Sequence, residues 1–228
     1  MRLTVVIPCL NEAGQIAELL QSLQPLRARG AELIVVDGGS SDGTQELARP
    51  YVDRAVAATR GRAAQMNAGA AAASGDLLLF LHADTRLPPG ADTLIVEGLS
   101  RSGRSWGRFD VRIAGAHPML RVIAAAMNVR SRLTGIATGD QAIFAARPMF
   151  DAAGWYADIP LMEDIALSKR LKQLGAPLCL RAPVTTSGRR WERHGVFRTI
   201  VLMWRLRLAY ALGADPRRLA ARYVAHRP

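Results

Sequence analysis

The stretch DLLLFLHADTRLPPG, Asp76 to Gly90, runs five apolar residues together from Leu77 to Leu81 and then stops on His82, Ala83 and Asp84, with Pro88 and Pro89 just beyond. An apolar run of that length with no polar alternation predicts a strand buried on both faces, as in a parallel sheet covered by helices. The segments before it support the same reading. LTVVIP (Leu3 to Pro8) is a first buried strand, and Glu12 to Leu23 has helical spacing, with Ile16, Leu19, Leu20 and Leu23 on one stripe. ELIVVDGG (Glu32 to Gly39) is a second strand, followed by Ser-Ser-Asp-Gly-Thr, a turn and helix cap. A short helix from Thr44 to Ala48, a short strand from Val52 to Ala57 and an alanine-rich helix from Gly61 to Ala73 lead back to the quoted strand. The alternation predicts an α/β fold with a mainly parallel sheet flanked by helices.

These strands end alike. The first stops near Asn11 and Glu12, the second at Asp37, the third at His82 and Asp84. Ligands of open α/β sheets bind beyond the carboxyl ends of the strands, so three polar strand ends predict one cleft. The second half is less regular. Phe109 to Ala114 reads as a strand, Pro118 to Leu133 as a helix, GDQAIFAA (Gly139 to Ala146) as a strand, Trp155 to Pro160 as a loop, and Met162 to Gly175 as a helix ending at a C-cap glycine.

The 228 residues can bury a sizeable core, and half of them are hydrophobic, which argues against disorder. The formal charge of +11 fits either an anionic partner or an arginine-rich composition, and no nucleic acid is expected from acidic strand ends. Cys9 and Cys179, far apart in sequence, form neither a zinc motif nor a disulfide framework, which suits a cytoplasmic setting. The apolar run at the N-terminus is too short for a signal peptide. Thr199 to Ala214 is the most apolar long segment, but Arg205 and Arg207 interrupt it, each costing roughly 2.5–3.5 kcal/mol at a bilayer centre.

The turn PCLNEAGQI after the first strand has one glycine where a dinucleotide fold would have three; the P-loop and nucleophile-elbow motifs are absent too. What remains is a set of acidic strand ends beside a basic loop, TRGRAAQMN (Thr59 to Asn67). A nucleoside diphosphate needs both: carboxylates for base and ribose, cations for the phosphates. Asp37 could accept from a base N–H, Arg60 or Arg62 could approach the phosphates, and Asp84 could hold a hard divalent ion.

In order and spacing, VVIPCLNE (5–12), VVDGGSSDGT (35–44), RGRAAQMNAGAAAASGD (60–76), LHADT (81–85) and the pair Glu163-Asp164 resemble family 2 inverting glycosyltransferases of small bacterial type. The resemblance covers roughly residues 3 to 175 and implies the GT-A fold, a nucleoside diphosphate sugar donor, a hydroxyl acceptor and Mn²⁺ or Mg²⁺ as cofactor. It implies that Pro8, Glu12, Asp37, Arg60, Arg62 and Asn67 line the nucleotide, that Asp84 binds metal, and that Asp164, beside Glu163, is the catalytic base. His82 stands where many relatives carry the first Asp of the metal motif, and three roles stay open for it: metal ligand, ribose contact or strand end. Gly139, Asp140, Gln141 and Trp155 are candidates for the sugar or acceptor pocket, and His194 is a remote candidate metal ligand. The departure at His82 also leaves room for a catalytically silent nucleotide-sugar-binding or scaffold protein.

The expected organisation is a catalytic domain over 1–180 and a basic, partly amphipathic helical extension over 181–228. In that extension Arg198 and Arg205 share one helical face, while Phe197, Val201, Trp204 and Leu208 line another, the pattern of a helix lying on anionic lipid. Such a helix would suit a lipid-linked acceptor and peripheral contact at the inner face of the membrane. The competing expectation is a helix packed on the sheet, with its arginines in water. Arg189 and Arg190 could instead reach the diphosphate.

Overall fold

The computed structural model describes residues 1–224, apart from the side chains at 190 and 224; the expectation for the Arg190 side chain therefore lies outside the described residues. Its N-terminal half alternates strand and helix as the apolar runs predict: β1 (Leu3–Cys9), α1 (Ala13–Ala28), β2 (Glu32–Asp37), α2 (Thr44–Ala48), β3 (Arg54–Ala57), α3 (Arg62–Ala72) and β4 (Leu77–Phe80). β1 pairs in parallel with both β2 and β4, and β2 with β3. Every residue of β1, β2 and β4 is buried, because both faces of the sheet are covered.

Alternation decides which core each side chain joins. Val5, Ile7, Leu33, Val35, Leu77 and Leu79 pack on one face against Ile16, Leu19, Leu20 and Leu23 of α1. Val6, Ile34, Val36, Leu78 and Phe80 pack on the other against Ala63, Met66 and Ala70 of α3. Gly69 lets α3 approach closely: a Cβ there would sit 2.9 Å from Val36 Cγ2 and closer still to Val6 Cγ1.

The second half contributes β5 (Thr85–Arg86), α4 (Ala91–Ser102), β6 (Trp106–Ala114), α5 (Met119–Thr134), β7 (Phe144–Ala146), α6 (Arg147–Ala152), α7 (Glu163–Leu174) and β8 (Leu178–Ser187), then helices α8 (Arg189–His194), α9 (Val196–Ala211) and α10 (Pro216–Val224). The strands form one eight-stranded sheet in the order β3-β2-β1-β4-β7-β6-β8-β5. β7 lies antiparallel between β4 and β6, and β5 is antiparallel to β8, while β6 and β8 run parallel. The expectation of a mainly parallel sheet therefore holds for the N-terminal half, and the whole sheet is mixed.

One further expectation is corrected. The strand expected over Gly139 to Ala146 is confined to Phe144–Ala146, because Gly139–Gln141 forms a 3-10 turn and Ala142 takes a left-handed φ of 47°. The division at 180/181 falls inside β8, whose later residues pair with β6 as far as Ser187. A third apolar cluster seats Leu206 of α9 and Leu219 of α10 on Leu161, Met162 and Ile165 at the start of α7.

Candidate active site

The carboxyl ends of β1 and β2 are tied to each other before any ligand is considered. Asn11 N–H donates to Ser40 Oγ (2.9 Å), Glu12 N–H to Thr44 Oγ1 (2.8 Å), Ala13 N–H to Asp42 Oδ2 (3.0 Å) and Ser41 N–H to Asn11 Oδ1 (3.0 Å). The Ser-Ser-Asp-Gly-Thr turn thus caps α1 from the neighbouring strand end, taking up N–H groups that a helix start leaves open. Asp37 lies beneath this lacework, 6% exposed, accepting from Gly39 N–H (3.0 Å), Ser40 N–H (2.9 Å) and the Ser40 hydroxyl. Burial raises its pKa, but these bonds outweigh burial and hold it below the ordinary value. Next to it the Cys9 thiol, buried and facing that carboxylate, is pushed up to about 12.

Beyond β4 the chain turns sharply, and His82 comes to rest on the Gly139–Asp140 turn. Its Nδ1 is 3.6 Å from Asp140 Oδ1, and a Cβ at Gly139 would fall within 2.5 Å of its Nε2, so only glycine permits this contact. Asp84 follows two residues later, half-buried, its main-chain oxygen accepting from Ser187 N–H of β8 (3.2 Å).

Across the cleft, Met162 adopts a left-handed φ of 69° and starts α7 directly at Glu163 and Asp164. Asp164 is partly open to the cleft. Its Oδ2 accepts from Gly139 N–H (2.9 Å) and its Oδ1 from Ile165 N–H (2.7 Å), which fixes the orientation of the carboxylate. Glu163 is 5% exposed. Desolvation raises the pKa of both, and the charge of Asp164 raises Glu163 further. Arg62, at the first position of α3, extends into the open cleft among Glu163, Asp140, Asp164 and Asp84; their combined field outweighs desolvation and raises its pKa. Arg62 thus sits in the field of four carboxylates, while Arg189, Arg193 and Arg207 line other parts of the same cleft.

Arg62, His82, Asp84, Asp140, Glu163 and Asp164 share one cleft of about 830 Å³, lined also by Glu12, Arg189, Trp191, Met203 and Arg207, a volume in the range of small-molecule sites. A model of glycosyl transferase family 2 matches residues 4–150. The chain belongs to that family. It is 25% identical over 198 residues to the poly-beta-1,6-N-acetyl-D-glucosamine synthase of Staphylococcus aureus, a match that spans 76% of this chain and 46% of that protein. The chain thus spans about half the length of this curated relative. The S. aureus TarS structure with UDP superposes with a TM-score of 0.68 at 17% identity, covering 82% of this chain and 60% of that one. A mannosyltransferase from Pyrobaculum calidifontis, in complex with GDP-Man and Mn²⁺, gives a TM-score of 0.66 at 22% identity, covering 91% and 61%. These likenesses bear out the expected GT-A fold.

Of the expected site residues, the fold brings Glu12, Arg62, His82, Asp84, Gly139, Asp140, Glu163 and Asp164 onto the cleft, with His194 at its wall. Others lie off it. Pro8 is buried in β1, and Arg60 is exposed in the turn before α3. Asn67 clamps the backbone of Tyr156, donating to its carbonyl (2.9 Å) and accepting from its N–H (3.0 Å). Gln141 is fully buried, its Oε1 accepting from Thr138 N–H (3.3 Å), and Trp155 packs on Phe150 with ring centroids 5.3 Å apart. Sequence reasoning missed Met203 and Arg207 as cleft residues, since nothing in a basic amphipathic helix says which side turns inward. It also missed Arg189's anchor, a bond from its Nη2 to Gln15 Oε1 of α1 (2.5 Å).

Among the described residues no three His, Cys, Asp or Glu side chains converge into a preformed metal cage. A hard cation held by one or two carboxylates and completed by substrate phosphates and water needs no such cage. Asp84, a half-buried carboxylate on the cleft, fits that role.

Proposed function

We propose that this protein transfers a glycosyl group from a nucleoside diphosphate sugar to a hydroxyl acceptor, with inversion at the anomeric carbon and with divalent metal assistance. The observation that carries the reading is the convergence of Asp84, Arg62 and an oriented Asp164 on one cleft. Asp164 takes the proton from the acceptor hydroxyl as that oxygen bonds to the anomeric carbon. The bond to the diphosphate oxygen breaks on the opposite face, and the electron pair leaves with the nucleotide. The raised pKa of Asp164 makes it a stronger base than an ordinary aspartate. Arg62 stabilises the charge developing on the leaving group. Asp84 would hold the metal ion, with His82 as second candidate ligand, and the ion when bound would neutralise the same developing charge. Asp37, held ionised, and Glu12 would receive the nucleoside. Gly139 and Asp140 would border the transferred sugar.

UDP-linked and GDP-linked ligands in the structural neighbours lend support to such a donor. The test is calorimetric titration of UDP, GDP and their sugar conjugates with and without Mn²⁺. Metal-dependent binding of one nucleotide, lost in Asp84→Ala, is the expected result. Binding without any turnover in wild type, unchanged by Asp164→Asn, would instead identify a silent binding protein.

A further inference from the structure

The inner side of α9 is occupied: Leu206 is buried against α7, and Met203 and Arg207 face the cleft. Its opposite side carries Phe197, Val201, Trp204 and Leu208, with Leu212 just past its end. Their positions recur at the helical repeat, and their exposures are 68%, 55%, 75%, 62% and 80%. A contiguous exposed stripe of this kind marks a contact surface. Arg198 and Arg205 flank it, both exposed, and neither takes part in an ion pair among the described residues.

Charge chooses the occupant. α9 contains no acidic residue, and residues 189–222 hold nine arginines against one glutamate and one aspartate. Two copies meeting through the stripe would press like-charged rims together, whereas an anionic lipid surface pairs with them. Among the described residues no helix is long and apolar enough to cross a membrane, so the contact would be interfacial. The next residue along α9 from Met203, on the cleft wall with Met127 and Trp191, is Trp204 on the outer stripe, which puts an apolar cleft wall beside the contact surface.

We propose that α9 lies flat on an anionic lipid surface through Phe197, Val201, Trp204, Leu208 and Leu212, and that the cleft draws its hydroxyl acceptor from that surface. The second clause rests on the glycosyltransferase reading; the first does not. The experiment is co-sedimentation of the whole protein with vesicles of phosphatidylcholine, with and without a third of phosphatidylglycerol. Wild type is expected in the pellet with the anionic vesicles, less so as salt is raised. Phe197→Glu/Trp204→Glu should lose at least about tenfold in vesicle affinity while keeping the wild-type circular dichroism and nucleotide binding. Arg198→Glu/Arg205→Glu, which leaves the apolar stripe intact, should weaken binding to the anionic vesicles alone. Wild type that stays in the supernatant with anionic vesicles, or a Glu variant that pellets like wild type, overturns the proposal. So does a lipid-free dimer that Trp204→Glu converts to monomer, which would assign the face to a second copy. Vesicle binding without nucleotide binding would sink the transferase reading and leave the docking surface standing.

Discussion

At Asp164 the structure makes pH a direct probe of the proposed chemistry. Its pKa is raised by burial, so the deprotonated base appears at higher pH than an ordinary aspartate near 3.9 would allow. We expect kcat/KM to fall on the acid side through a pH above that value, and Asp164→Asn to cost about 100- to 10,000-fold in kcat; a pH–rate profile with both proteins checks this. Glu163 offers a stability test. Its folded pKa is raised, so the stability linked to its proton is complete below the unfolded pKa and lost as pH rises through the folded one. At neutral pH Glu163→Gln should therefore stabilise the fold, by roughly 1 kcal/mol, and the gain should vanish in acid. Urea melts at two pH values decide it. That Asp84 and Asp164 line one cleft agrees with the sequence reading, which set the first in LHADT at a strand end and the second in the Glu163-Asp164 pair. The clamp that Asn67 makes on Tyr156 was not legible there, since a side chain bonding a backbone 89 residues away leaves no local signature.

The strands and helices of the first half were readable because each of their strands but the exposed β3 is built on a continuous apolar stretch: Val5 to Ile7, Leu33 to Val36 and Leu77 to Phe80. β8 was missed for the opposite reason. Arg181, Pro183 and the polar Thr185, Thr186 and Ser187 hide a strand that is held in place by pairing with β6 and β5, not by its own composition. The helix-to-sheet distance gives a prediction at this scale. Gly69→Ala should destabilise by about 1–3 kcal/mol, because the new methyl would collide with Val6 and Val36 in the sheet. Thermal denaturation measures the loss, and nucleotide affinity measured below the melting range should stay near wild type.

Seen whole, the chain closes on itself. Arg189 reaches back to Gln15, and the third apolar cluster fastens α9 and α10 to the helix that bears the proposed base. A boundary between a catalytic domain and a tail was a natural reading of composition, because the arginines cluster late. Burial at Leu206 and Leu219 follows from tertiary contact alone. We expect a single cooperative unfolding transition, shifted as one by Leu206→Ala at a cost of about 2–5 kcal/mol; two separate transitions in calorimetry would contradict this.

The four tryptophans occupy four distinct surroundings. Trp106 is fully buried, Trp155 packs on Phe150, Trp191 lines the cleft and Trp204 stands 75% exposed. The protein therefore carries its own optical reporters. Donor entry should perturb the emission of Trp191, and anionic vesicles should shift Trp204 to the blue, while Trp106 supplies a constant background. Replacing Trp191 or Trp204 by phenylalanine separates the two signals, so that occupancy of the cleft and contact with a surface can be followed in one cuvette without a label.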